Sequence, residues 1–245
     1  MSAADRPSSA SPVYTELLQM TLAACDLARQ SAAATADALA GKSPAMLVRI
    51  ADCERKLDLI DREMDERVAY AVTLVDAAVA RELLVCMKVV IDLERIGDLL
   101  CSVASRIQVL GPTGDMADIK DLIEMATALE AMLCQAHSGL ATRNVDLAIA
   151  VVRADAEIDR RRNLLFFRLL DGASTATRIA VHMLFMANAL ERAGDHAGNI
   201  GEEICHMVTG HTVRHVRRET DKSHEQRYLD WLRKQDVGVR PGAAD

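Results

Sequence analysis

Apolar residues recur along this chain at intervals of three and four, the period of an amphipathic helix rather than of a strand. Six such stretches follow one another. The first runs from Val13 to about Ala40, with Gly41 as its stop. The second opens at "SPAMLVRIADC", with Ser43 as N-cap and Pro44 at the first helical position, where its missing N–H costs nothing; its pattern continues through "TLV". The third covers about Ala77 to Leu110. "GPTGD" at Gly111–Asp115 is the strongest loop signal in the chain and marks a boundary between halves. Beyond it, helices are expected from about Met116 to Leu140 and from about Val145 to Leu170. Gly172 ends the fifth, Ser174 caps the sixth, and the sixth runs to about Thr209 with Gly210 as stop. The expected fold is all-α: six helices forming two similar three-helix bundles, 13–111 and 115–210. Residues 1–12, rich in Ser, Ala and Pro, read as a disordered lead-in. Residues 211–245 read as a charged tail, either a short helix carrying Tyr228, Trp231 and Leu232 or a disordered segment.

Composition supports helices over sheets. Half the residues (50%) are hydrophobic but only 3% are aromatic, so Ala, Leu, Ile, Val and Met must build the core. The net charge of −7 argues against a general nucleic-acid binder. Six cysteines are scattered singly with no CxxC pair, which excludes zinc ribbons and thioredoxin chemistry. They read as buried, reduced thiols acting as small hydrophobes, suited to a reducing compartment. No run of about 18 uncharged apolar residues occurs, so no membrane insertion is expected. The opening residues lack the apolar stretch of a signal peptide. The expected location is the cytoplasm.

The two halves repeat a phrase. "LERIGD" at Leu93–Asp98 and "LERAGD" at Leu190–Asp195 stand 97 residues apart (191 − 94). With them superposed, Arg81 falls on Arg178, Met87 on Leu184 and Val89 on Met186. The preceding helices match through "ERKLD" (Glu54–Asp58) and "DAEID" (Asp155–Asp159), which lie 36 (94 − 58) and 32 (191 − 159) residues before their hexapeptides. The difference of four is about one helical turn. Gly97 and Gly194 recur inside a helix, where glycine costs about 1 kcal/mol relative to alanine. A helix accepts that where another backbone or a ligand must come close.

The repeated phrase places Glu94 with Asp98, and Glu191 with Asp195, one turn apart on a single helix face, with Asn199 a further turn along. Glu54 with Asp58, and Asp155 with Asp159, supply a second acidic pair in each half. If the two helices of a half lie antiparallel, four carboxylates converge, a donor set that suits hard divalent or trivalent cations. The plain alternative is a solvated acidic face balanced by Arg55, Arg95, Arg160 and Arg192. Asp61 and Asp65 form another such pair, read as incidental. His196 is read as a surface residue beside the second pair, and the run Arg160–Arg162 as an exposed basic face.

"LERIGD", and more fully "LERAGDHAGNIGEEI" (Leu190–Ile204) with the upstream "VVRADAEIDRRR", resemble the signature of the PhoU family of phosphate-signalling regulators. The resemblance spans about Tyr14 to His215, including the three-plus-three helical plan. It implies two three-helix bundles, each holding a cluster of iron or other divalent metal ions. The first cluster would use Glu94, Asp98, Glu54 and Asp58. The second would use Glu191, Asp195, Asn199, Asp155 and Asp159. Ser102 stands where the first copy would need the counterpart of Asn199, which makes the second site the stronger expectation. The resemblance further implies a negative regulator, active when phosphate is plentiful, that links the ATPase subunit of the phosphate ABC transporter to a phosphate sensor histidine kinase. A homodimer is expected, and no catalysis. Two other classes stay open: a di-iron helical-bundle enzyme, and a purely structural helical adaptor. The di-iron class needs two ExxH motifs, and the chain has one, Glu203 with His206. His211 and His215 are read as solvated tail residues.

Overall fold

The structure is a computed structural model that describes residues 12–41, 43–110, 116–171 and 177–210. The lead-in, the "GPTGD" loop, Gly172, Ser174 and the tail from 211 lie outside the described residues. Six helices follow in order: α1 (Pro12–Leu39), α2 (Ala45–Ala71), α3 (Ala77–Leu110), α4 (Met116–Thr142), α5 (Val145–Asp171) and α6 (Thr177–Thr209). Among the described residues there is no strand, so the all-α expectation holds.

Helix ends differ from expectation by a residue or two, except at α2. That helix stops at Ala71 instead of continuing through "TLV". It begins at Ala45, and Ser43 Oγ accepts the Ala45 N–H at 3.2 Å, with Pro44 just outside the helix. Side-chain oxygens start two other helices. Asp76 Oδ1 accepts from the N–H groups of Ala78 and Val79 at the head of α3, and Asn144 Oδ1 from those of Asp146 and Leu147 at the head of α5. Such caps satisfy donors that have no partner within the helix. Gly41 closes α1 at φ +70°. The corresponding turn after α4 uses Arg143 at φ +54°, a region that side chains with a Cβ rarely occupy.

Helix α1 buries Leu17, Thr21, Ala24, Ala28 and Ala32 along one stripe. The Thr21 hydroxyl donates to the Leu17 carbonyl at 2.8 Å, so it enters the core without an unmet donor. Helices α1, α2 and α3 pack on one another, as do α4, α5 and α6. The halves join through α1 against α4 and α3 against α6, and all described residues fall within one compact unit. Both three-helix bundles are present, sharing a continuous seam.

That seam carries polar contacts. Lys88 Nζ stands 3.3 Å from both carboxylate oxygens of Glu203. Nδ1 of His196 is 2.8 Å from Asp92 Oδ1. The Arg106 guanidinium lies 4.8 Å above the Phe185 ring. Higher positions on α3 meet lower positions on α6, so the two helices run antiparallel. Arg29 of α1 pairs with Glu130 of α4 at 3.6 Å. No helix among the described residues is long and apolar enough to cross a membrane.

Candidate functional site

The repeated phrases sit where α2 comes closest to α3, and α5 to α6. A Cβ on Gly97 would stand 2.9 Å from Leu57 Cδ1 and 3.7 Å from Glu54 Cα. On Gly194 it would stand 2.9 Å from Asp155 Oδ1 and 3.0 Å from Ile158 Cδ1. Leu57 and Ile158, like Glu54 and Asp155, are thus equivalent, as the "ERKLD"/"DAEID" alignment requires. The glycines explain themselves as places where a neighbouring helix occupies the volume of a side chain.

Close approach brings the first set of carboxylates together. The Glu54 carboxyl is pushed above its ordinary value by burial first, then by Asp58 and Asp98. Glu94 rises by burial, then by Asp98, with smaller contributions from Asp61 and Asp58. All four expected residues are electrostatic neighbours, and Asp61 joins them. Asp61 is itself raised, by burial and then by Asp65 and Asp58. Asp61, read as incidental, is thus an electrostatic neighbour of the first set. The signal was present in the sequence, since it stands three residues after Asp58, on the same face. Cys101 borders the patch, its thiol pushed up to about 11 by burial and then by Glu54 and Asp98.

The second set is arranged differently. Glu191 is raised by burial, then by Asp195, with Asp159 also raising it and Arg162 and Arg192 opposing. Asp155 is only 4% exposed, wedged beneath Gly194 rather than standing at the surface. Asn199 points its amide toward Asp92 Oδ1 across the seam, at 3.5 Å. Three of the five expected residues, Glu191, Asp195 and Asp159, share one electrostatic patch. His196 takes the same Asp92 as partner, which makes it a seam residue. Asp92 itself was missed, because no local pattern marks a residue whose partners lie more than 100 positions away.

The basic run departs from its reading as well. Arg160 pairs with Glu157 on its own helix, but Arg161 reaches Asp121 and Glu124 on α4, and Arg162 Nε donates to Asn188 on α6. Two of the three arginines therefore bind helices together. Of the cysteines, Cys25, Cys53, Cys86 and Cys205 are buried, whereas Cys101 is half-buried and Cys134 exposed.

A metal ion has to fit what is present. The donor set is carboxylate oxygens with one thiol at the edge, chemistry that suits a hard cation. Arginines occupy part of that role. Arg95 stands 3.4 Å from Glu94 and 3.9 Å from Asp98, and Arg62 3.6 Å from Asp58. Among the described residues, no three His, Cys, Asp or Glu side chains stand together in ligating geometry. Assembling a site would take side-chain rotation of these half-exposed acids away from their arginines. Lys88 and Glu203 lie in the seam, with His206 Nδ1 3.7 Å from Glu203, so the single ExxH motif serves the junction of the halves.

Comparison with known proteins agrees with this layout. The family described as "PhoU domain" matches twice, over residues 22–107 and 122–204, one match in each half. A "Phosphate-specific transport system accessory protein PhoU homolog" of Rhizobium meliloti is 30% identical over 190 residues, spanning 75% of this chain and 80% of the relative. A protein of the same description from Caulobacter vibrioides is 29% identical over 174 residues, spanning 69% and 76%. The crystal structure of PhoU from Pseudomonas aeruginosa superposes with a TM-score of 0.73 at 24% identity, over 81% of this chain and 98% of that one. With both repeats matched and the six-helix plan shared, the chain belongs to the PhoU family.

Proposed function

We propose that this chain is an accessory protein of a phosphate-specific transport system that restrains phosphate uptake and signalling when phosphate is plentiful. It acts by binding, without catalysis, between the ATPase subunit of the phosphate ABC transporter and a phosphate sensor histidine kinase. The observation that carries this reading is the double family match on a chain whose relatives bear that description over most of their length. The test is deletion of the gene with a phosphate-starvation reporter read in phosphate-rich medium. Derepression is expected, and a silent reporter in a strain without a paralogue would overturn the reading.

Divalent or iron-type metal ions belong to the same proposal. They would be held by Glu54, Asp58, Glu94 and Asp98 in the first half. In the second half Glu191, Asp195 and Asp159 would hold them, with Asp155 and Asn199 on rearrangement. A bound cation would supply charge neutralisation. The support is electrostatic: burial and mutual repulsion hold Glu54, Glu94 and Glu191 above the ordinary carboxyl value, and a cation relieves that repulsion. Metal analysis of the full chain purified without chelator tests it. Glu191→Ala with Asp195→Ala should lower the metal content, and an unchanged content removes the second patch from the proposal.

A further inference from the structure

Glu82 of α3 is a buried carboxylate, 6% exposed. Arg143, in the turn between α4 and α5, donates Nη1 to Glu82 Oε1 at 3.0 Å and Nη2 to Oε2 at 2.5 Å. The same Nη2 donates to the Tyr14 hydroxyl at 2.9 Å, and the guanidinium lies over the Tyr14 ring at 5.7 Å. Tyr14 lies in the first turn of α1, so three elements from both halves meet in one knot. The left-handed backbone of Arg143 is a position its counterpart turn fills with Gly41. An arginine persists there because its side chain is held by a buried charge. Close by, Glu203 (2% exposed) takes Lys88 across the seam. Two buried carboxylates therefore tie the halves where α3 begins and α6 ends.

The internal repeat gives the comparison with the opposite end, where α6 begins and α3 ends. A shift of 97 residues carries Glu82 onto Ile179 (82 + 97), Lys88 onto Phe185 (88 + 97) and Glu203 onto Arg106 (203 − 97). The position of the knot's carboxylate holds an aliphatic side chain, and the positions of Lys88 and the buried Glu203 hold a guanidinium over a phenyl ring that is 52% exposed. Taking the cation from a buried carboxylate strands that charge, whereas the Arg106–Phe185 contact involves no buried carboxylate and its ring already meets water.

We propose that the halves are clasped at one end only: α3 and α6 part from the end where Arg106 covers Phe185, with the Tyr14–Glu82–Arg143 knot and the Lys88–Glu203 pair as the hinge. This rests on no metal and on no partner.

Hydrogen exchange on the full chain reads it directly, because local opening sets the exchange rate of helical amides. The segments 86–93 and 200–207 lie at the clasp, and 100–107 and 183–190 at the other end. The clasp segments should exchange more slowly by a factor of about ten. Arg143→Gly, which suits the positive φ while deleting the knot and leaves the Lys88–Glu203 pair, should bring them part of the way to the rate of the other end. Tyr14→Phe removes one hydroxyl, should produce a smaller loss in the same segments, and serves if Arg143→Gly does not fold. Equal protection at both ends of the wild-type seam would overturn the proposal. So would clasp segments unmoved in a folded Arg143→Gly protein, or in Tyr14→Phe where that variant stands in for it.

Discussion

At Gly201 the backbone of α6 passes so near α5 that an added Cβ would stand 2.8 Å from the Ala148 carbonyl oxygen and 2.8 Å from Val152 Cγ2. A carbonyl inside a helix cannot move away, so Gly201→Ala should cost about 2–3 kcal/mol by overpacking, read as a lower urea midpoint. Gly97→Ala makes the instructive contrast. Its Cβ meets the far end of the Leu57 side chain, which can turn, and alanine returns about 1 kcal/mol of helix propensity. That variant should stay within about 1 kcal/mol of wild type, the two terms nearly cancelling. Thiols offer a second test at this scale. Cys134 is exposed, whereas the Cys101 thiol is held up to about 11 by burial and by its acidic neighbours. Alkylation of the native protein at pH 7.5 should label Cys134 first, and Glu54→Gln should accelerate labelling at Cys101. What the sequence concealed at this scale were residues acting over long separations. Glu82 and Arg143 lie 61 positions apart, and no local period distinguishes a buried charged pair from two surface charges.

At the scale of the element, α2 against α3 concentrates negative charge. Glu54 and Glu94 have folded pKa values above their unfolded ones, through burial first and neighbouring carboxylates second. Such groups favour the fold only below the unfolded carboxyl pKa, and that contribution is lost as pH rises through the raised folded value. At neutral pH the patch therefore opposes folding. Glu54→Gln in metal-free protein should raise the denaturation midpoint at pH 7.5, and the gain should fade as pH approaches 4. An added divalent cation should stabilise wild type more than this variant; equal stabilisation would mean that Glu54 takes no part in binding it. The first patch was legible because its four acids follow the helical period on two helices fixed by close approach at Gly97. The second was legible only in part. Asp155 obeys the same period and register, but its carboxylate is buried beneath Gly194, and burial depth is not written in spacing.

For the whole molecule, six stretches of period-3.6 apolar residues, with Gly41 and Gly210 as stops, foretold the helices, and the repeated hexapeptide foretold the halves. How the halves meet was not foretold, since α1 against α4 and α3 against α6 are pairings between elements from opposite halves of the chain, which no local period marks. Because the seam is continuous, the described unit should unfold in one calorimetric transition with matching calorimetric and van't Hoff enthalpies. Two separated transitions would show the halves to be independent.

Arg29 of α1 and Glu130 of α4 lie 101 residues apart (130 − 29), close to the interval between the two repeats, which is 101 from Glu54 to Asp155. They touch each other. Were the two halves separate, identical chains, this place would bring one residue against its own twin, and a charge there would face a like charge. Opposite signs require the two copies to differ at this place. The Arg29–Glu130 pair therefore suits two halves of one chain, and it disfavours the first half pairing with a copy of itself in the geometry it shares with the second.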